Sequence, residues 1–186
     1  QNITLNQLSI QTNNGLLGKS LDAKTDFGEI HLVGQYEYDQ LPQTIRRVLR
    51  HYIPSFFQPN PHYNTATGKA NYSFTLRLHD TKFINSLLKT DIVSSHAIRL
   101  AGLVNERQNE IDLHINAPDV TYSGQQIKNL VLNLKSEPQG LQTRISAERK
   151  GEKGPHVIIN AQGLIADNAI NSDISFRIPG TSPVFG

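Results

Sequence analysis

Apolar and polar residues alternate one by one along most of this chain. In NEIDLHINAPDV, Asn109 to Val120, the residues Ile111, Leu113, Ile115 and Ala117 share one side of an extended backbone, and Asp112, His114 and Asn116 share the other. The same period of two predicts strands at Thr4 to Gln11, Ser20 to Phe27, Glu29 to Tyr38, Ala70 to His79, Ala97 to Glu106, Glu110 to Asn116, Gln126 to Ser136, Leu141 to Lys150, His156 to Ala166 and Ser172 to Ile178. Turn signals separate them: NNG at Asn13 to Gly15, DFG at Asp26 to Gly28, PQG at Pro138 to Gly140 and GEKGP at Gly151 to Pro155. Short turns between consecutive strands predict hairpin neighbours and an antiparallel, mainly β protein.

Two segments carry helical spacing instead. In PQTIRRVLRHYIP the apolar residues Ile45, Val48, Leu49, Tyr52 and Ile53 form one stripe, with Pro42 in the first turn and Pro54 at the end. This predicts a helix over about 41–53. In HDTKFINSLLKT, Phe83, Ile84, Leu87 and Leu88 make a shorter stripe behind an Asp80 or Thr81 cap, predicting a second helix over about 81–89.

A weak repeat runs through the strands. Ile30-x-Leu32-x-Gly34, Ile98-x-Leu100-x-Gly102 and Ile159-x-Ala161-x-Gly163 share one spacing, each followed two residues on by Tyr36, Val104 or Ile165. Glycine weakens a strand, so its recurrence on the apolar side predicts local bending or space for a neighbouring side chain. Chance recurrence in a strand-rich chain is the alternative, but a hairpin-like turn follows two of the three.

Composition narrows the classes. With 186 residues and 37% hydrophobic content the chain can bury a core, which argues against disorder. A net charge of +2 from 18 basic and 16 acidic residues is unlike a dedicated nucleic-acid binder. Zero cysteines exclude disulfides and thiolate metal sites. No apolar run is long enough to cross a bilayer as a helix. The start at Gln1 and the absence of methionine suggest one internal segment, residues 1–186, of a longer protein.

Little here predicts catalysis. The seven histidines stand in no ligand spacing, and His31, His79, His114 and His156 run out of phase with the apolar residues, on a solvated sheet face. There is no G-x-S-x-G elbow, phosphate-binding glycine loop or cysteine nucleophile. The pairs Glu110 with Asp112 and Asp167 with Asp173 lie beside turns, where carboxylates are commonly solvated. The reading is a protein that is not an enzyme, with no metal and no cofactor. Zero tryptophans remove the best sugar platform, and Tyr36 and Tyr38 fall in phase with Ile30 and Leu32, as core residues would. On the first helix Arg46, Arg47, Arg50 and His51 form a basic face, suited to water or to anionic headgroups.

The apolar strand faces remain. Two accounts fit them: a closed sandwich in which two sheets bury these faces against each other, or a curved sheet with an open trough that takes acyl chains. A hydrolase on a β scaffold is a distant third.

The stretch FGEIHLVGQYEYDQLPQTIRRVLRHYIPSFF, followed by NYSFTLRLHDTKFINSLL and IRLAGLVNERQNEIDLHINAPDVTYSGQQIKNLVLNLKS, resembles the large TamB and AsmA-like envelope proteins of diderm bacteria, over about Leu21 to Ile178. The resemblance implies an elongated, curved antiparallel sheet, a β-taco with an open apolar groove and edge helices. It further implies a periplasmic place, an inner-membrane anchor elsewhere in the full-length chain, phospholipid or other apolar cargo moving between the two membranes, and an outer-membrane barrel-assembly partner met by other parts of the protein. On that pattern Ile98, Leu100, Ile111, Leu113, Ile115, Leu130, Leu132, Leu134, Ile159 and Phe176 line the groove.

Overall fold

A computed structural model describes residues 5–16, 18–57, 68–82, 85–86, 89–150, 155–179 and 184–185. The strands are β1 (Leu8–Gly15), β2 (Gly18–Thr25), β3 (Gly28–Gln35), β4 (Asn71–Leu78), β5 (Val93–Ser94), β6 (Ile98–Asn105), β7 (Glu110–Tyr122), β8 (Gln125–Glu137), β9 (Gly140–Lys150), β10 (Val157–Ala166), β11 (Ala169–Arg177) and β12 (Val184–Phe185). They form one curved antiparallel sheet in the order β1-β2-β3-β4-β6-β7-β8-β9-β10-β11-β12, with β5 paired to β7 off this path. The strands belong to one sheet that is not closed, where the sandwich alternative calls for two separate sheets.

Several boundaries differ from the pattern-based ones. The NNG stretch does not turn: Asn13, Asn14 and Gly15 pair with Ser20, Lys19 and Gly18, and the hairpin closes just beyond them. Strand β7 runs past Pro118 to Tyr122. Proline is tolerated there because β6 pairs β7 only as far as Asn116, and β5 joins at Val120 and Thr121. In β8 an extra residue makes a bulge between Lys128 and Val131; Asn129 takes the left-handed conformation there (φ 51°), and its amide donates to Glu148 Oε1 at 3.0 Å.

Helix α1 (Leu41–Tyr52) follows a 3-10 turn at Tyr38–Gln40 and carries proline in its first turn, as its stripe predicts. It lies across one end of the apolar sheet face. Val48 and Tyr52 are buried with Leu32, Tyr36, Tyr72, Val104, Ile111, Leu141 and Ile165, and Leu41, Ile45, Leu49 and Ile53 pack around them. Thr44 is buried too, which its polarity hides in the sequence; its hydroxyl donates to the Leu41 carbonyl at 2.8 Å and meets the Tyr72 hydroxyl at 3.2 Å. Tyr38 corrects the in-phase expectation. It lies beyond the end of β3, in the 3-10 turn, and is 45% exposed.

The C-terminal end of α1 is tied to three places in the sheet. The Tyr52 hydroxyl donates to the Asn109 carbonyl and contacts Ser136 Oγ, both at 2.8 Å, and the Asn168 N–H donates to the Tyr52 carbonyl at 3.1 Å. Arg47 is not the solvated arginine of the basic face; its guanidinium pairs with the buried carboxylate of Glu106. Of the second expected helix, the described residues include one turn, in which the Asn85 N–H donates to the Thr81 carbonyl at 2.8 Å. Its apolar stripe, Phe83, Ile84, Leu87 and Leu88, lies outside the described residues.

Candidate apolar binding face

Cross-strand partners in a sheet share a face, so the pairing register converts alternation into rows. One row runs Ile10, Ala23, Ile30, Leu76, Leu100, Ile115, Leu132, Ile145, Ala161, Ile174, one residue from each of ten successive strands. Every position is apolar and none is charged. At ~4.8 Å between strands the row is roughly 40 Å long.

Two flanking rows differ in what lies on them. Toward α1 run Leu32, Phe74, Gly102, Leu113 and Leu134, and beyond them Tyr72, Val104 and Ile111, which helix α1 covers. On the far side, Leu78 pairs with Ile98, Ala117 with Leu130, and Ile159 with Ala147 and Phe176. Helix α1 covers the apolar face at one end of the strands; at the other, Ala117 and Ala147 are buried and Phe176 is exposed.

All ten expected lining residues lie on this one face. They do not have equal access. Ile111 is 4% exposed in the core beneath α1, and Leu134 packs against that core. Ile98, Leu100, Leu113, Ile115, Leu130, Leu132 and Ile159 are half-buried, and Phe176 is exposed. Ile145 and Ile174, which the sequence reading did not single out as lining, are 37% and 38% exposed in the central row. Alternation places both on the apolar side of their strands, and register puts them in the central row.

The glycines of the repeat keep this face smooth. Any Cβ at Gly102 would stand 2.7 Å from the Phe74 ring, so the glycine makes room for its cross-strand partner. Gly34 takes φ +138° and brings the backbone of Tyr72 so close that a Cβ would meet its Cα at 2.6 Å.

The opposite face is polar and has concavities of its own. One of about 670 Å³ is lined by residues including His31, Thr75, Arg77, Arg99, Ala101, His114 and Asn116, and another of about 680 Å³ by residues including Asn133, Arg144, Asn160, Gln162 and Asp173. His31 Nδ1 lies 2.5 Å from Asp22 and His114 Nδ1 2.6 Å from Asn133. The Glu29 carboxylate is held below its ordinary pKa, first by Lys24 at 3.3 Å and then by His79 at 3.5 Å. Glu148 is lowered likewise, by hydrogen bonds from Asn129 and His156. Among the described residues no group of three or more histidines and carboxylates is arranged to hold a metal ion.

Comparison of the chain with family models, curated proteins and solved structures returns no match.

Proposed function

We propose that this chain is a non-enzymatic β-groove segment of an envelope protein similar to the TamB and AsmA-like proteins. It works in the periplasm of a diderm bacterium, as part of a protein anchored in the inner membrane. Its apolar strip shelters phospholipid acyl chains on their way between the two membranes, or supports outer-membrane protein assembly through a barrel partner. The observation that carries this reading is the uncharged row crossing ten strands, with α1 on one end only.

The mechanism is passive burial. An acyl chain laid along the row crosses strand after strand without meeting a charge, and each methylene removed from water contributes about 0.8 kcal/mol. Binding of this kind needs no cofactor and no reacting group. It tolerates chain length and unsaturation, because a long apolar strip fixes no single register for its occupant.

Native mass spectrometry of the purified protein, followed by solvent extraction, tests the proposal. Co-purified phospholipid or fatty acid is the expected result, and its amount should fall severalfold in an Ile145→Arg variant that keeps its β-sheet circular dichroism. A soluble, monomeric protein that carries no lipid and acquires none from phospholipid vesicles would sink the reading, and would favour a structural or protein-interaction role in the envelope.

A further inference from the structure

We infer that the polar face carries an oxyanion site, built on Arg77 and Arg99, for a phosphate group. The two arginines are direct cross-strand partners on β4 and β6. Like charges directly opposite each other repel, and sheets ordinarily place an opposite charge or a neutral residue at such positions. Neither guanidinium has a hydrogen bond or ion pair among the described residues. Glu29, the cross-strand partner of Arg77 on its other side, is engaged instead by Lys24 and His79. Beyond Arg99 the row continues to Asn116, an uncharged side chain with donors.

The surroundings form a receptacle. Arg77 and Arg99 line the concavity of about 670 Å³ together with Thr75, His114 and Asn116; the carboxylates that also line it, Asp22 and Glu29, are engaged by His31 and by Lys24 and His79. Ala101 lies between Thr75 and His114 in the adjoining polar row, and its side chain there is a single methyl. A tetrahedral oxyanion above Ala101 would take the forked donors of both guanidiniums, a geometry suited to phosphate, and would turn their repulsion into a shared attraction. The donors approach from the polar face, so the site is independent of acyl chains on the apolar one.

The phosphate can be free or belong to a lipid headgroup, and the test separates the two. Inorganic phosphate and water-soluble dihexanoyl phosphatidic acid are titrated at constant ionic strength against the wild type, Arg77→Gln and Arg99→Gln, following the arginine Nε–Hε resonances and the melting temperature. Saturable shifts of the Arg77 and Arg99 signals are expected, with affinity about tenfold lower in either variant. Without phosphate both variants should melt at or above the wild-type temperature, because one of two facing charges is gone; with phosphate the wild type should gain more than they do. Equal affinity for both ligands assigns the site to the phosphate group itself, and tighter phosphatidic acid assigns it to a headgroup. Unperturbed arginine signals, or the same phosphate response in all three proteins, would overturn the proposal. Neither variant touches the apolar row, so failure here leaves the groove reading standing.

Discussion

At the scale of single residues, the polar groups beneath and beside α1 matter most. Glu106 is 8% exposed, and its carboxylate is held by Arg47 and by the Ala70 N–H at 3.4 Å. Arg47→Ala leaves that charge buried without its ion partner, at a cost of about 3–5 kcal/mol; a denaturant midpoint that falls accordingly, with little change in slope, is the expected measurement. Tyr36 makes a second case. Its hydroxyl is pushed from an ordinary 10.0 up to about 12, chiefly by burial, then by Tyr38 and the Asp22 carboxylate. A raised pKa favours the neutral ring in the folded state, so this contribution is complete below pH 10.0 and fades as pH rises toward about 12. The Tyr36 ring signals should therefore titrate later than those of a free tyrosine in an alkaline NMR series. The burial of Tyr36 was legible in its phase with Ile30 and Leu32, but the ion pair was not: an arginine on a helix face and a glutamate after a strand carry no mark of each other until the fold brings residues 59 positions apart together.

At the scale of elements, periodicity told most of the truth. Alternation located ten of the strands because most of them have one face against apolar neighbours and one against water, the condition that writes a period of two into sequence; β1 and β11 keep the alternation although they are exposed along nearly their whole length. It missed β5 and β12, whose two residues are too short for any period. The NNG signal misled because asparagine and glycine are compatible with an exposed edge strand, and β1 is exposed along its whole length. The stripe of α1 was legible from its spacing, and buried Thr44 was not, because its burial depends on hydroxyl partners within its own first turn and on Tyr72. The glycine repeat had physical content at Gly102, where the missing Cβ admits Phe74. Gly102→Ala should cost about 1–3 kcal/mol by overpacking, read from thermal unfolding, and an additional Phe74→Leu change should restore part of it by vacating the ring's space.

At the scale of the whole molecule, the open sheet presents two unlike surfaces. Which residues share a face was readable strand by strand, and all ten expected lining residues do share one. How that face is divided was not, since the row across ten strands and the seal made by α1 depend on register and on where the chain crosses the sheet. The apolar strip has uncharged continuity and partial exposure beside the end that α1 covers, properties that suit the proposed sheltering of acyl chains. Site-specific photo-crosslinking is the most direct measurement of that claim: a benzoylphenylalanine at Ile145 or Ile174 on the strip, and at the adjoining polar-face positions Arg144 or Asp173, in protein incubated with phospholipid vesicles. Crosslinks to phospholipid from Ile145 and Ile174, with few from Arg144 and Asp173, are the predicted result. Equal labelling from both faces, or none from the strip, would contradict it.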